Sequence, residues 1–181
     1  MTDDEIRAFL GDPSRHPPCA RHLGFELIDF SVGAGWAEVA FHPRPEFANP
    51  AGAVQGGFVC AMLDDAMSVA ASISQRFAVI VPTLQTSVSY LRPTPIARVL
   101  ARGEVLRFGS TSVAMHGTLR DAGGSLLAVA TATAVPRPFR SPNLVPWFDK
   151  LTTGDVRGAA PHPNPLPVKN GEREQVVPAG G

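Results

Sequence analysis

The chain is poor in the residues that staple a protein or give it a strong charge. Two cysteines, Cys19 and Cys60, are too few for a disulfide framework. Neither they nor the scattered His16, His22, His42, His116 and His162 have the spacing of a zinc site, so no metal is expected. Charged residues make up only 18% of the sequence and cancel to a formal net charge of zero. Without a basic cluster there is no basis for electrostatic capture of nucleic acid or of an anionic membrane surface. The chain lacks a G-x-S-x-G elbow, a G-x-G-x-x-G run and a P-loop, which argues against a serine triad and nucleotide-dependent chemistry, and no cofactor is expected. The first residues, MTDDEIRAFLG, are acidic and short of apolar length, unlike a secretory signal. The expectation is a cytoplasmic protein whose partners are small molecules and copies of itself.

A length of 181 residues suits one domain with a real core. The division expected is a folded domain over 1–140 and a tail over 141–181. That tail carries seven of the chain's 18 prolines, Pro142, Pro146, Pro161, Pro163, Pro165, Pro167 and Pro178, with no sustained helical or strand period. Such a composition supplies no core, so the tail is expected to be mostly disordered, with Trp147 and Phe148 packing loosely.

Within the domain, Thr2 caps a short helix over Asp3 to Leu10. Two alternating runs, Phe25 to Val32 and Gly35 to His42, read as a hairpin, and Pro43 to Gly52 as loop. A helix follows, almost wholly apolar from Phe58 to Gln75 and therefore expected to be buried all round. Four strand-like segments come after it: Val79 to Leu91, Arg98 to Phe108, Ser112 to Arg120 and Leu126 to Val135. One long helix and about six strands is an α+β plan in which an antiparallel sheet wraps a helix.

The chemistry concentrates in NPAGAVQGGFVCAMLDDAMS, Asn49 to Ser68. Gly56 and Gly57 stand where the helix begins, with no side chain between its free N–H groups and an approaching oxygen. Such glycines serve an oxyanion hole or, equally, a tight entry turn. Asp64 and Asp65 are costly in an apolar helix unless compensated. Asp64 shares a face with the small residues Gly57, Cys60, Ala61, Ser68 and Ala71, a face suited to a subunit interface holding a cleft. Asp65 points about 100° away and reads as a buried or interface acid paired with an arginine. Ser68, one turn beyond Asp64, either hydrogen-bonds that carboxylate or bonds back to its own helix. Cys60 reads as a small core residue. Gly56 and Asp64 are roughly 12 Å apart along the axis, too far for one helix to bracket one carbonyl. Two antiparallel copies of the helix from two subunits bridge that gap.

The register of these residues resembles the hotdog-fold acyl-CoA thioesterases of the PaaI-like (phenylacetate-degradation) type. The family motif is H-G-G followed by an apolar helix with an acidic residue nine positions after the histidine. Gln55, Gly56, Gly57 and Asp64 stand in that register, with Gln55 in place of the histidine. The resemblance covers Leu23 to Pro136 and extends to the strand-end segment SYLRPTP. It implies a hotdog fold and hydrolysis of an acyl-CoA thioester in a homodimer or a dimer of dimers. Gly56, Gln55 and Asn49 would hold the carbonyl, with Asp64 as base or nucleophile and Thr83 as the hydroxyl orienting water or the carboxylate. Gly57, Ser68 and Arg92 would contact the substrate, although Arg92, like Arg98, Arg102 and Arg107, reads first as a solvated strand residue. A non-catalytic acyl-CoA binding or sensing protein is the alternative that Gln55 keeps open. A hotdog hydratase would need a histidine near the motif, and none is there.

Overall fold

The computed structural model describes residues 1–139, so the readings made for the tail lie outside the described residues. Helix α1 (Asp3–Leu10) begins at Thr2 with a complete capping box: Thr2 Oγ1 accepts from Glu5 N–H, and Glu5 accepts from Thr2 N–H. A second short helix, α2 (Pro18–Leu23), went unread in the sequence. Its signals are a proline at its first position and Gly24 at its end, left-handed at φ 72°. There, an added Cβ would lie 2.8 Å from that of His42.

Strands β1 (Glu26–Ser31) and β2 (Trp36–Phe41) form the expected hairpin. The long helix α3 runs over Gly56–Ser74. After it, the strand expected over Val79 to Leu91 is broken in two: β3 (Val79–Ile80) and β4 (Thr83–Tyr90). Pro82 between them has no N–H for a ladder, and its carbonyl instead accepts from Val135 N–H. Then come β5 (Val99–Phe108), β6 (Val113–Asp121), β7 (Leu126–Ala134) and a short β8 (Arg137–Pro138) that pairs with β3. The main sheet has six strands in the order β1-β2-β5-β6-β7-β4, with every neighbouring pair antiparallel.

The helix lies in a trough of small residues. Ala37, Gly103, Gly117, Ala130 and Val88 pair in one row across β2, β5, β6, β7 and β4. A Cβ on Gly103 would fall 2.2 Å from the Ala66 carbonyl oxygen, and one on Gly117 would fall 3.1 Å from Met67 Cγ. Gly103 thus lets the backbone of α3 meet the sheet directly, and Gly117 makes room for the Met67 and Leu63 side chains. Val59, Met62, Leu63, Ala66 and Met67 are buried there with Val39, Phe41, Val99, Met115 and Leu119.

Burial explains why α3 is apolar enough to pass for a membrane span by length and composition. It is not buried all round, however. Gly57 is exposed, and Cys60, Ala61, Asp64 and Ser68 are only half-buried, because the sheet covers one side of the helix. Cys60, read as a core residue, therefore belongs to an open face.

Candidate active site

The loop before α3 is shaped by its own hydrogen bonds. Asn49 Oδ1 accepts from Ala51 N–H at 2.9 Å and from Ala53 N–H at 3.2 Å, and Asn49 N–H donates to the Ala53 carbonyl. Gln55 N–H donates to the Phe47 carbonyl at 2.8 Å, tying the end of the loop to a buried aromatic. Phe58, in the first turn of α3, stacks on Phe47 with centroids 4.0 Å apart. These contacts fix where the helix starts, and they engage the Asn49 oxygen in shaping the loop.

At the helix start the Gln55 carbonyl accepts from Phe58 and Val59 N–H. The N–H groups of Gly56 and Gly57 have no partner among the described residues. Two adjacent donors at the positive end of a 19-residue helix are suited to an oxygen that gains negative charge. Gln55, the N-cap residue, is exposed, and its side chain makes no capping hydrogen bond.

Two turns further on, Asp64 Oδ1 accepts from Thr83 Oγ1 at 2.8 Å and, more weakly, from Thr86 Oγ1 at 3.4 Å. Thr83 and Thr86 lie on β4, the strand at the open edge of the sheet. One carboxylate oxygen is thus held, and the other takes no hydrogen bond from these hydroxyls. Thr86 was missed in the sequence, where β-propensity alone accounts for a threonine on a strand.

Among the described residues of one copy, no arginine pairs with Asp65. Its Oδ2 is buried without a hydrogen-bond partner. Burial first, and the charge of Asp64 second, push its carboxyl up from 3.8 to about 7. A neutral carboxylic acid is the form such a site accommodates, because desolvation penalises the anion. The Cys60 thiol is pushed up by burial and by the Asp64 charge, which disfavours the thiolate needed for a nucleophile.

Ser68 neither bonds Asp64 nor bonds back to its helix among the described residues. Arg92 Nη1 donates to the Leu126 carbonyl at 2.7 Å and so braces the end of β4 against β7. Arg98 approaches Glu26 at 3.6 Å, while Arg102 lies over the Trp36 ring at 4.0 Å and pairs with Glu104. Among the described residues no group of three or more His, Cys, Asp or Glu is arranged to hold a metal.

The comparisons with known proteins agree with this architecture. The model of the thioesterase superfamily matches residues 51–128, a span that holds both glycines, Asp64 and both threonines. A solved phenylacetic acid degradation-related protein of Ralstonia eutropha JMP134 is 31% identical, with a TM-score of 0.64 over 71% of this chain and 96% of that one. Two others share the fold. The PaaI protein of the E. coli phenylacetic acid degradation operon is 19% identical over 65% of this chain and 86% of that one, TM-score 0.58. A Streptococcus mutans UA159 protein, bound to acetyl CoA, is 23% identical over 63% and 89%, TM-score 0.57. No curated protein matches the chain. The chain belongs to the thioesterase superfamily, among its PaaI-like hotdog members. It is a thioesterase, and the reaction class is thioester hydrolysis.

Proposed function

We propose that the protein hydrolyses an acyl-CoA thioester to the free acid and coenzyme A, in a site shared by two copies of the chain. The observation that carries this reading is Asp64: two hydroxyls of β4 hold one carboxylate oxygen and leave the other for chemistry. The N–H groups of Gly56 and Gly57 polarise the thioester carbonyl, and Gln55 and Asn49 flank it. Asp64 of the other copy uses its free oxygen as base towards water or as the attacking group. In the water route, Asp64 takes a proton as the water oxygen adds to the carbonyl carbon. The C–S bond then breaks, and the departing thiolate receives the proton. Thiolate is a good leaving group, so a carboxylate and two N–H donors suffice.

Distance supports sharing between copies. Nothing brings Asp64 to the start of its own helix, roughly 12 Å away along the axis. An antiparallel second helix laid on the open face of Gly57, Cys60, Ala61 and Ser68 does. Among the described residues β4 has no strand beyond it in the sheet, as suits an edge continued by a second copy. A coenzyme A thioester as substrate is supported by the acetyl CoA bound to the Streptococcus mutans protein of the same fold.

The test is a panel of acyl-CoA thioesters with detection of the free thiol. Wild-type protein should release thiol from at least one member, and Asp64→Asn should lose activity by about 10²–10⁴-fold. An Asp64→Asn variant as active as wild type would remove the carboxylate from the reaction.

A further inference from the structure

Tyr90, the only tyrosine in the chain, closes β4 at the end nearest the start of α3. Its hydroxyl donates to the Gly56 carbonyl at 3.0 Å. Its ring also lies under Gly56, where an added Cβ would sit 3.2 Å from Tyr90 Cζ and 3.4 Å from Cε1. Spacing along the two elements explains why one strand reaches both ends of the site. From Thr86 to Tyr90 is about 13 Å along a strand, and from Asp64 back to Gly56 is about 12 Å along the helix. A single antiparallel strand thereby holds the carboxylate at one end and the helix start at the other.

The Gly56 carbonyl and the Gly57 N–H belong to the same peptide group. A hydrogen bond received at the oxygen withdraws electron density from the amide and makes its N–H a stronger donor, as in any chain of hydrogen bonds. It also fixes the tilt of that peptide at a helix end, where no preceding turn holds it. We propose that Tyr90 is a positioning residue for thioester hydrolysis: by donating to the Gly56 carbonyl it aims and polarises the Gly57 N–H that receives the oxyanion. The inference rests on the proposed reading of the glycine N–H groups. It adds a reason for glycine at position 56, since a larger residue there would displace the tyrosine ring. Tyr90 is 55% exposed, but partial desolvation of its hydroxyl, and then Cys60, push the phenol upward from its ordinary value of 10, so the hydroxyl keeps the proton it donates throughout the neutral range.

The test compares wild type with Tyr90→Phe, which keeps the ring and loses only the donor. With acetyl-CoA labelled with ¹³C at the carbonyl as the probe, Tyr90→Phe should lower kcat about 10-fold, a fraction of the loss from deleting an oxyanion donor outright, with KM changed less than about twofold. In the Asp64→Asn background, infrared difference spectra should show the bound carbonyl stretch moved to lower frequency. Adding Tyr90→Phe should return it part of the way towards the free thioester. An unchanged kcat would overturn the proposal. So would a rise in KM alone, or a fall in kcat with the carbonyl stretch unmoved, since each assigns the tyrosine to binding or packing. Failure of the wider reading looks different: Asp64→Asn would then turn over like wild type whatever residue occupies position 90.

Discussion

The Thr83 hydroxyl donates to Asp64 Oδ1 at 2.8 Å, joining the edge strand of the sheet to the carboxylate two turns into the central helix. The bond engages one oxygen of Asp64 and leaves the lone pairs of the other for the proposed reaction. A hydrogen bond to a charged group contributes about 1.5–3 kcal/mol.

Thr83→Val should therefore lower kcat about tenfold with little change in KM, whereas Thr83→Ser should keep most of the activity. Thr86→Val, which removes the longer 3.4 Å contact, should cost less than Thr83→Val. Steady-state kinetics on one acyl-CoA substrate rank the three. If Thr86→Val proves the more damaging, Thr86 and not Thr83 is the main holder of the carboxylate.

Asp65 gives a prediction about stability and pH. Its carboxyl keeps its proton up to about pH 7 in the folded chain, against 3.8 when exposed. Between those values the folded state binds the extra proton, so stability is greatest at acid pH and falls as pH rises towards 7. The slope is at most about 1.4 kcal/mol per pH unit. Asp65→Asn should flatten that slope and unfold at higher denaturant than wild type at pH 7.5, while retaining most of the activity. Parallel curves for the two proteins from pH 4.5 to 7.5 would contradict the buried neutral carboxyl.

The trough under the helix is testable by adding one methyl group. Gly103→Ala would place its Cβ 2.2 Å from the Ala66 carbonyl oxygen, a conflict of backbone with backbone that no rotamer relieves. It should destabilise the domain by about 2–4 kcal/mol in chemical denaturation. Gly117→Ala meets the flexible Met67 side chain and should cost less.

Much of this was legible in the residues, and what was not has physical causes. The apolar run after Gly57 and the alternation in the later segments specify a helix and an antiparallel sheet, because burial and period are local in sequence. The strand expected over Val79 to Leu91 ran through Pro82, although a proline removes a ladder donor and so marks the break between β3 and β4. Thr86 and Tyr90 were not legible: each is an ordinary strand residue until the register of β4 against α3 sets it beside Asp64 or Gly56. That register depends on Gly103 and Gly117 at distant positions. The state of Asp65, with no arginine beside it among the described residues, was hidden for a related reason. Sequence shows that a charge is costly in an apolar helix, but not whether a partner or a proton relieves it.

In the proposed reaction each active site takes its N–H donors from one copy of the chain and Asp64 from another. Gly57→Pro removes one donor at a first-turn position that tolerates proline, where nothing lies within 4 Å of an added Cβ. Asp64→Asn removes the carboxylate. Each variant alone should be nearly inactive. In a mixture of the two, after subunit exchange verified by mass spectrometry, half of the dimers are mixed and each contains one intact site of two, so activity should return to about a quarter of wild type. A mixture that exchanges subunits and stays as inactive as its parents would contradict the shared site.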